Sequence, residues 1–204
     1  MLKKIFNFFL NKKLQNLYEL PERIINKINY SLQFPPSGFG RYFVDKFIKE
    51  ISKEFDKDGK VLLDVGAGHQ PYKKFFNKIK YESCDSDHVI KEIKYDILNA
   101  KHDFYCNINE QIPRKDKYYD IVLCSEVLEH VYNPENVIKE ISRILKDDGV
   151  FIATIPQSTG EHMLPHNYFN YLAPGITYLL KRNNLKAVSL KKYSGIFHAT
   201  GNLL

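Results

Sequence analysis

The sequence predicts an α/β fold, a mostly parallel sheet covered on both faces by helices. Three observations carry this. Short apolar runs bounded by turn residues alternate with amphipathic stretches of helical period. The first run, VLLDV at 61–65, is apolar on consecutive positions, as in strands buried on both faces. It breaks into GAGHQPY, where Gly66 and Gly68 stand at the end of a strand, the edge at which such sheets bind ligands.

The elements follow in order. Over residues 1–30, Leu2, Ile5, Phe6, Phe9, Leu14 and Leu17 form a helical stripe. QFPPSGFG at 33–40 reads as a loop, and Phe43, Phe47, Ile48 and Ile51 mark a helix over 41–55. After the first strand, 71–79 reads as helical. YESC (81–84), DFYC (103–106) and YYDIVLC (118–124) read as the second, third and fourth strands. PENVIKEISRILK (134–146) is a helix with Pro134 in its first turn, and VFIATI (150–155) is the fifth strand. A helix over 174–183 and a sixth strand, KAVSL (186–190), complete the pattern. Residues 1–56 are thus expected to form an N-terminal helical extension and 57–204 the ligand-binding domain. The abrupt finish at Leu204 predicts a domain shortened at its C-terminus.

Composition narrows the function. The 204 residues carry a net charge of +6, and residues 1–30 alone contribute six bases against two acids. The remainder is nearly neutral, which argues against a broad nucleic-acid footprint. Three cysteines without a CxxC pair disfavour a disulfide framework and a zinc site, so no metal is expected. Reduced thiols and the lack of a signal-like start make the cytoplasm the default compartment. The Phe-rich, lysine-flanked segment 1–17 reads either as a helix packed on the core or as a peripheral membrane contact.

The strand ends carry the chemistry. A dinucleotide site would want a third glycine at position 71, which is Pro71, and no acid in the turn, where Asp64 stands. An acid there suits a cationic, phosphate-free ligand. Asp85 closes the second strand 21 residues after Asp64, the spacing at which a carboxylate accepts ribose hydroxyls. Its plainer alternative is a helix cap. DIVLCSEVLEHVYNP (120–134) then gathers Ser125, Glu126, Glu129 and His130 beyond the fourth strand, as a substrate mouth requires.

LLDVGAGHQPY, CSEVLEHVYNP and ISRILKDDGVFIATIP together resemble the class I S-adenosylmethionine-dependent methyltransferases of the methyltransferase type 11-like group. HMLPHNYFNYLAPGITYLLKRNNL (162–185) resembles a stretch of members found among cell-surface glycan enzymes. The resemblance covers about residues 60–200. It implies a Rossmann-like parallel sheet sandwiched by helices and S-adenosylmethionine as cofactor. It further implies that Gly66 and Gly68 pack under the methionine part, that Asp64 organises the loop near the ammonium and that Asp85 takes the ribose hydroxyls. Asn107 and Ile108 stand where members carry an Asp–apolar pair that meets adenine, so Asn replaces the acid here. Ser125 and Glu126 line the reacting end. The implied activity is methyl transfer to an oxygen of a small-molecule, cell-surface glycan or lipid-linked acceptor.

A sulfonium is already activated, so the protein has mainly to align the acceptor and take its proton. His130 and His166 are the candidate bases, with Glu129 a weaker one; Glu129 and His130 read otherwise as capping or solvated side chains of a helix. Two rivals remain at this stage, a degenerate cofactor-binding partner subunit and a nicotinamide-dependent oxidoreductase.

Overall fold

The structure, a computed structural model, describes residues 38–87, 100–157 and 161–191. The expectations for the helix over 1–30, for most of the loop at 33–40, for the membrane contact of 1–17 and for the end of the chain lie outside the described residues. By its contacts the chain divides into two compact units, 1–43 and 44–204.

Helix α1 (Gly38–Phe55) is followed by β1 (Val61–Val65), β2 (Lys80–Asp85), β3 (Phe104–Tyr105) and β4 (Tyr119–Ser125). Then come α2 (Pro134–Ile144), β5 (Leu145–Thr154) and α3 (Ala173–Arg182). The five strands form one sheet in the order β3-β2-β1-β4-β5, every pair parallel. This is the Rossmann-like arrangement, with the chain starting at the centre and winding outwards on both sides.

Successive strand residues serve opposite faces. Leu63, Val65, Val122 and Cys124 pack with Val137, Ile138, Ile141 and Ile144 of α2 and with Ile176 of α3. Leu62, Ile121, Leu123 and Ile152 pack on the other face with Ile48 of α1 and with Tyr72, Phe76 and Ile79. Both faces are therefore covered, and all seven residues of β4 are buried. At about 1.5–3 kcal/mol for each fully buried aliphatic side chain, the α2 stripe alone anchors that helix firmly.

Three expectations need correction. Residues 71–79 hold only one 3₁₀ turn, Lys73–Phe75, and not a helix. The reason is Asp56, whose carboxylate accepts the amides of Asn77 (3.0 Å), Lys78 (2.9 Å) and Ile79 (3.0 Å), groups a helix would have paired with carbonyls. KAVSL at 186–190 is irregular and makes no strand. Its apolar residues lie outside the core, Val188 at 91% exposure and Leu190 at 48%, so no burial offsets the cost of ordering a strand. Finally, β5 begins at Leu145, well before the expected start. Tyr119 is opposite Leu145 and Ile121 opposite Val150, so the DDG segment bulges within the strand.

That bulge is held by a buried carboxylate at the amino end of β4. Asp120, 7% exposed, pairs with Lys146 Nζ at 2.8 Å and Lys60 Nζ at 2.9 Å, and accepts the Val61 amide at 2.9 Å. Burial alone would raise its pKa; the two lysines and the amide overcome this and hold it at about 2. Its contribution is therefore present above the ordinary carboxylate range and is lost only as pH falls through that range towards 2. Replacing Asp120 with Ala should lower stability at pH 7 by about 2 kcal/mol in urea unfolding, with the deficit shrinking as pH falls from about 4 towards 2.

Candidate functional site

The carboxyl ends of β1, β2 and β4 converge on the predicted residues. After Val65 the chain turns back on β2. The amides of Gly66 and Ala67 both donate to the carbonyl of Cys84, at 2.9 and 3.2 Å. Gly66 has φ +67, and a Cβ there would lie 2.5 Å from Cγ2 of Val127, so both conformation and space demand glycine. Gly68 has φ +52, and its Cβ position meets nothing within 4 Å, so backbone conformation alone selects glycine there.

Asp85 anchors this loop. Its Oδ2 accepts the Gly68 amide at 2.8 Å and its Oδ1 the Ser86 amide at 2.7 Å. Each carboxylate oxygen has a further lone pair for a ligand hydroxyl. The main-chain carbonyl of Asp85 accepts the Cys106 amide at 3.0 Å, which carries Asn107 and Ile108 to the same edge. Asn107 is exposed, its Oδ1 accepting the Asn109 amide at 3.1 Å and its Nδ2 donating to Glu110 at 3.0 Å. Ile108 is buried in the core beneath that turn.

Asp64 is buried at 2% exposure and accepts a hydrogen bond from the Tyr81 hydroxyl. Desolvation pushes its pKa up to about 7; the tyrosine opposes the rise and the charge of Asp85 adds to it. The same burial and the neighbouring carboxylate push Tyr81 far above the usual phenol range, so it stays a donor. Nothing in the sequence pattern pointed to Tyr81, because parallel pairing of β1 and β2, not sequence proximity, brings the two together.

At the end of β4, Ser125 shares a 2.8 Å hydrogen bond with Thr154 and donates to Tyr72 at 3.4 Å. Glu126 has φ +56, a strained conformation for a residue with a side chain, and its amide donates to the Thr154 carbonyl at 2.9 Å. A 3₁₀ turn, Leu128–His130, follows and buries Glu129 at 1% exposure. His130 and His166 are joined, though not side chain to side chain: Nδ1 of His130 bonds to the main-chain oxygen of His166. The His166 ring meets the Tyr168 hydroxyl at 3.3 Å. Burial pushes the His130 imidazole below its usual range; the hydrogen bond to the His166 carbonyl opposes the fall, and the nearby His162 and His166 add to it. His162, whose ring centroid is 4.8 Å from that of His130, was not singled out from sequence. The available signal was that His162 is one of two histidines in the short HMLPH stretch (162–166).

The three cysteines form no disulfide; Cys84 and Cys124 are buried in the core and Cys106 is half-buried. Among the described residues no helix is long and apolar enough to cross a membrane.

Comparison with known proteins places these features in context. Residues 38–201 match the family model described as "Methyltransferase domain". A ubiquinone biosynthesis O-methyltransferase of Nitrosomonas europaea is 32% identical over 146 residues, 68% of this chain and 57% of that protein. One of Pelagibacter ubique is 27% identical over 180 residues, 76% of this chain and 74% of that protein. The chain thus spans less than two thirds of the length of the Nitrosomonas protein. Among solved structures, a SAM-dependent methyltransferase of Aquifex aeolicus superposes with a TM-score of 0.50 at 18% identity, over 67% of this chain and 78% of that one, a likeness of fold.

The raised pKa of Asp64 has a measurable consequence. Its proton is bound more tightly in the folded protein than in the unfolded chain, so its stabilising effect is complete below pH 4 and is lost as pH rises to about 7. The stability difference between wild type and Asp64→Asn should therefore fall across that window, with a slope approaching about 1.4 kcal/mol per pH unit. Thermal unfolding of both proteins from pH 4 to 8 measures it; a pH-independent difference would show Asp64 to be ionised throughout.

Proposed function

Because the chain belongs to the class I S-adenosylmethionine-dependent methyltransferases, we propose that it transfers the cofactor's methyl group to an oxygen of a small-molecule or glycan- or lipid-linked acceptor. The observation that carries this is the loop Val65–Gly68 folded onto Asp85, with the buried carboxyl of Asp64 behind it. In this reading Asp85 accepts the two ribose hydroxyls with the lone pairs its amide bonds leave open. Gly66 and Gly68 let the methionine part approach the backbone, and Asp64 faces the ammonium side. Asn107 offers its amide to adenine, with Ile108 supporting the turn from below. Ser125 and Glu126 bound the reacting end.

Relatives named as O-methyltransferases support oxygen over nitrogen as the acceptor atom. The residues' task is alignment in line with the sulfur–methyl bond, exclusion of water and removal of the hydroxyl proton. In this reading His130 or His166 takes that proton, a role supported by the hydrogen bond that joins the His130 ring to the His166 carbonyl beyond β4. The oxidoreductase alternative has little support, since Pro71 occupies the position of the third glycine.

Two measurements test this reading. Calorimetric titration should show S-adenosylmethionine binding, and Asp85→Ala should weaken it at least tenfold, because charge-assisted hydrogen bonds contribute about 1.5–3 kcal/mol each. Heat with a nicotinamide cofactor and none with S-adenosylmethionine would reverse the assignment. At pH 6 the cationic ligand should also drive ionisation of Asp64. The observed binding heat should then vary with the ionisation enthalpy of the buffer in wild type, and much less in Asp64→Asn.

A further inference from the structure

Beyond β4 the fold brings together three side chains able to ligate a metal, two from the EVLEH turn and one from the 162–171 segment. One ligand atom each from Glu129, His130 and His162 lies within 4.8 Å of the other two. The Glu129 Oε1 to His130 Nε2 distance is 3.6 Å. Two ligands on one tetrahedral ion, each about 2.0–2.1 Å from it, stand about 3.4 Å apart, so this pair is already near bridging distance. We propose that Glu129, His130 and His162 bind a divalent transition-metal ion of the zinc class, with the remaining coordination positions open to the acceptor's oxygen.

Four features support the assignment. The donor set is two imidazoles and one carboxylate, a combination that suits zinc or iron and leaves an open position, whereas magnesium and calcium prefer oxygen throughout. The His130 ring is already oriented. With Nδ1–H donated to the His166 carbonyl, the neutral imidazole carries its lone pair on Nε2, the atom facing Glu129. The two ligand-bearing segments are fastened together independently of any ion. Tyr168 and Phe169 amides donate to the Glu129 carbonyl at 2.8 and 3.3 Å, and the Tyr171 hydroxyl donates to the Leu128 carbonyl at 3.3 Å. Finally, the turn that carries Glu129 and His130 also carries Val127, which packs beside Gly66 of the glycine loop.

This inference rests on the methyl-transfer reading for its role and refines it. His130 then holds the ion and does not take the proton. An acceptor hydroxyl on the ion becomes more acidic and yields its proton to water. The oxygen lone pair forms the bond to the methyl carbon as the carbon–sulfur bond breaks, and that electron pair returns to sulfur, leaving the neutral thioether.

The test is titration of the chelator-treated full chain with zinc chloride by calorimetry, and with cobalt(II) by visible absorption. One ion per chain is expected, with ligand-field bands for cobalt and no competition from magnesium in tenfold excess. His162→Ala should lower zinc affinity at least tenfold and weaken the cobalt bands, whereas His69→Ala, a change at an exposed histidine outside the cluster, should leave both intact. His162→Ala guards against misfolding as an explanation, because its ring comes from a surface loop; Glu129→Gln should agree with it. Wild-type affinity in His162→Ala, equal loss in His69→Ala, or no zinc bound would overturn the proposal. S-adenosylmethionine titration of the metal-free protein separates the two readings. Cofactor binding without zinc binding removes only the metal, and zinc binding without cofactor binding removes the methyl-transfer reading.

Discussion

The arrangement depends on one junction, the return of the chain from β1 onto the end of β2. Two consecutive amides, of Gly66 and Ala67, share the Cys84 carbonyl, and the next glycine amide is taken by the Asp85 side chain. A backbone can make that turn only in the left-handed region, which Gly66 and Gly68 both occupy. Val127, packed where a Gly66 side chain would be, ties the third strand end into the same junction. Parallel pairing of β1 with both β2 and β4 makes this possible, since it brings three carboxyl ends to one edge.

Two buried carboxylates on adjacent strands show how the sheet separates stability from chemistry. Asp120, at the amino end of β4, is surrounded by two lysines and an amide, and its ionised form is favoured. Asp64, near the carboxyl end of β1, is equally hidden but has a neutral hydroxyl and another acid for company, and its ionised form is disfavoured. Burial is common to both, so the partners decide the sign. The Asp120 pairs hold Lys60 and the β5 bulge in place. Asp64 is instead held in a buried environment that favours its neutral form.

The fold was legible where apolar periodicity was strong. β1, β4 and α2 appear within a residue or two of their expected bounds, because continuous apolar text and a Pro134 start leave few alternatives. It was illegible where a distant side chain decided the outcome. The helix expected over 71–79 yields to Asp56, which lies 22 residues before the Lys78 amide it accepts, and the length of β5 depends on Lys146 reaching Asp120. In the site, glycines and acids announced themselves through spacing. Tyr81 and His162 did not, since a tyrosine that reaches an aspartate on the neighbouring strand, or one more histidine in a loop, carries little local pattern. The expectation of no metal rested on cysteine spacing, which says nothing about imidazole and carboxylate donors.

The EVLEH segment has a position no other element shares. At one end Val127 abuts the glycine loop, and at the other the Glu129 carbonyl holds the 168–169 amides while His130 grips the His166 carbonyl. Both neighbours are bound to this short turn: Val127 occupies the space where a Gly66 side chain would be, and the loop beyond Glu129 is attached through main-chain bonds. Packed elements transmit displacements because they are stiff at the scale of an ångström. The strained conformation of Glu126, fixed by its amide on Thr154, supplies the rigid point from which the turn departs. The EVLEH turn thus ties the glycine loop and the 162–171 segment to the one place where β4 leaves the sheet.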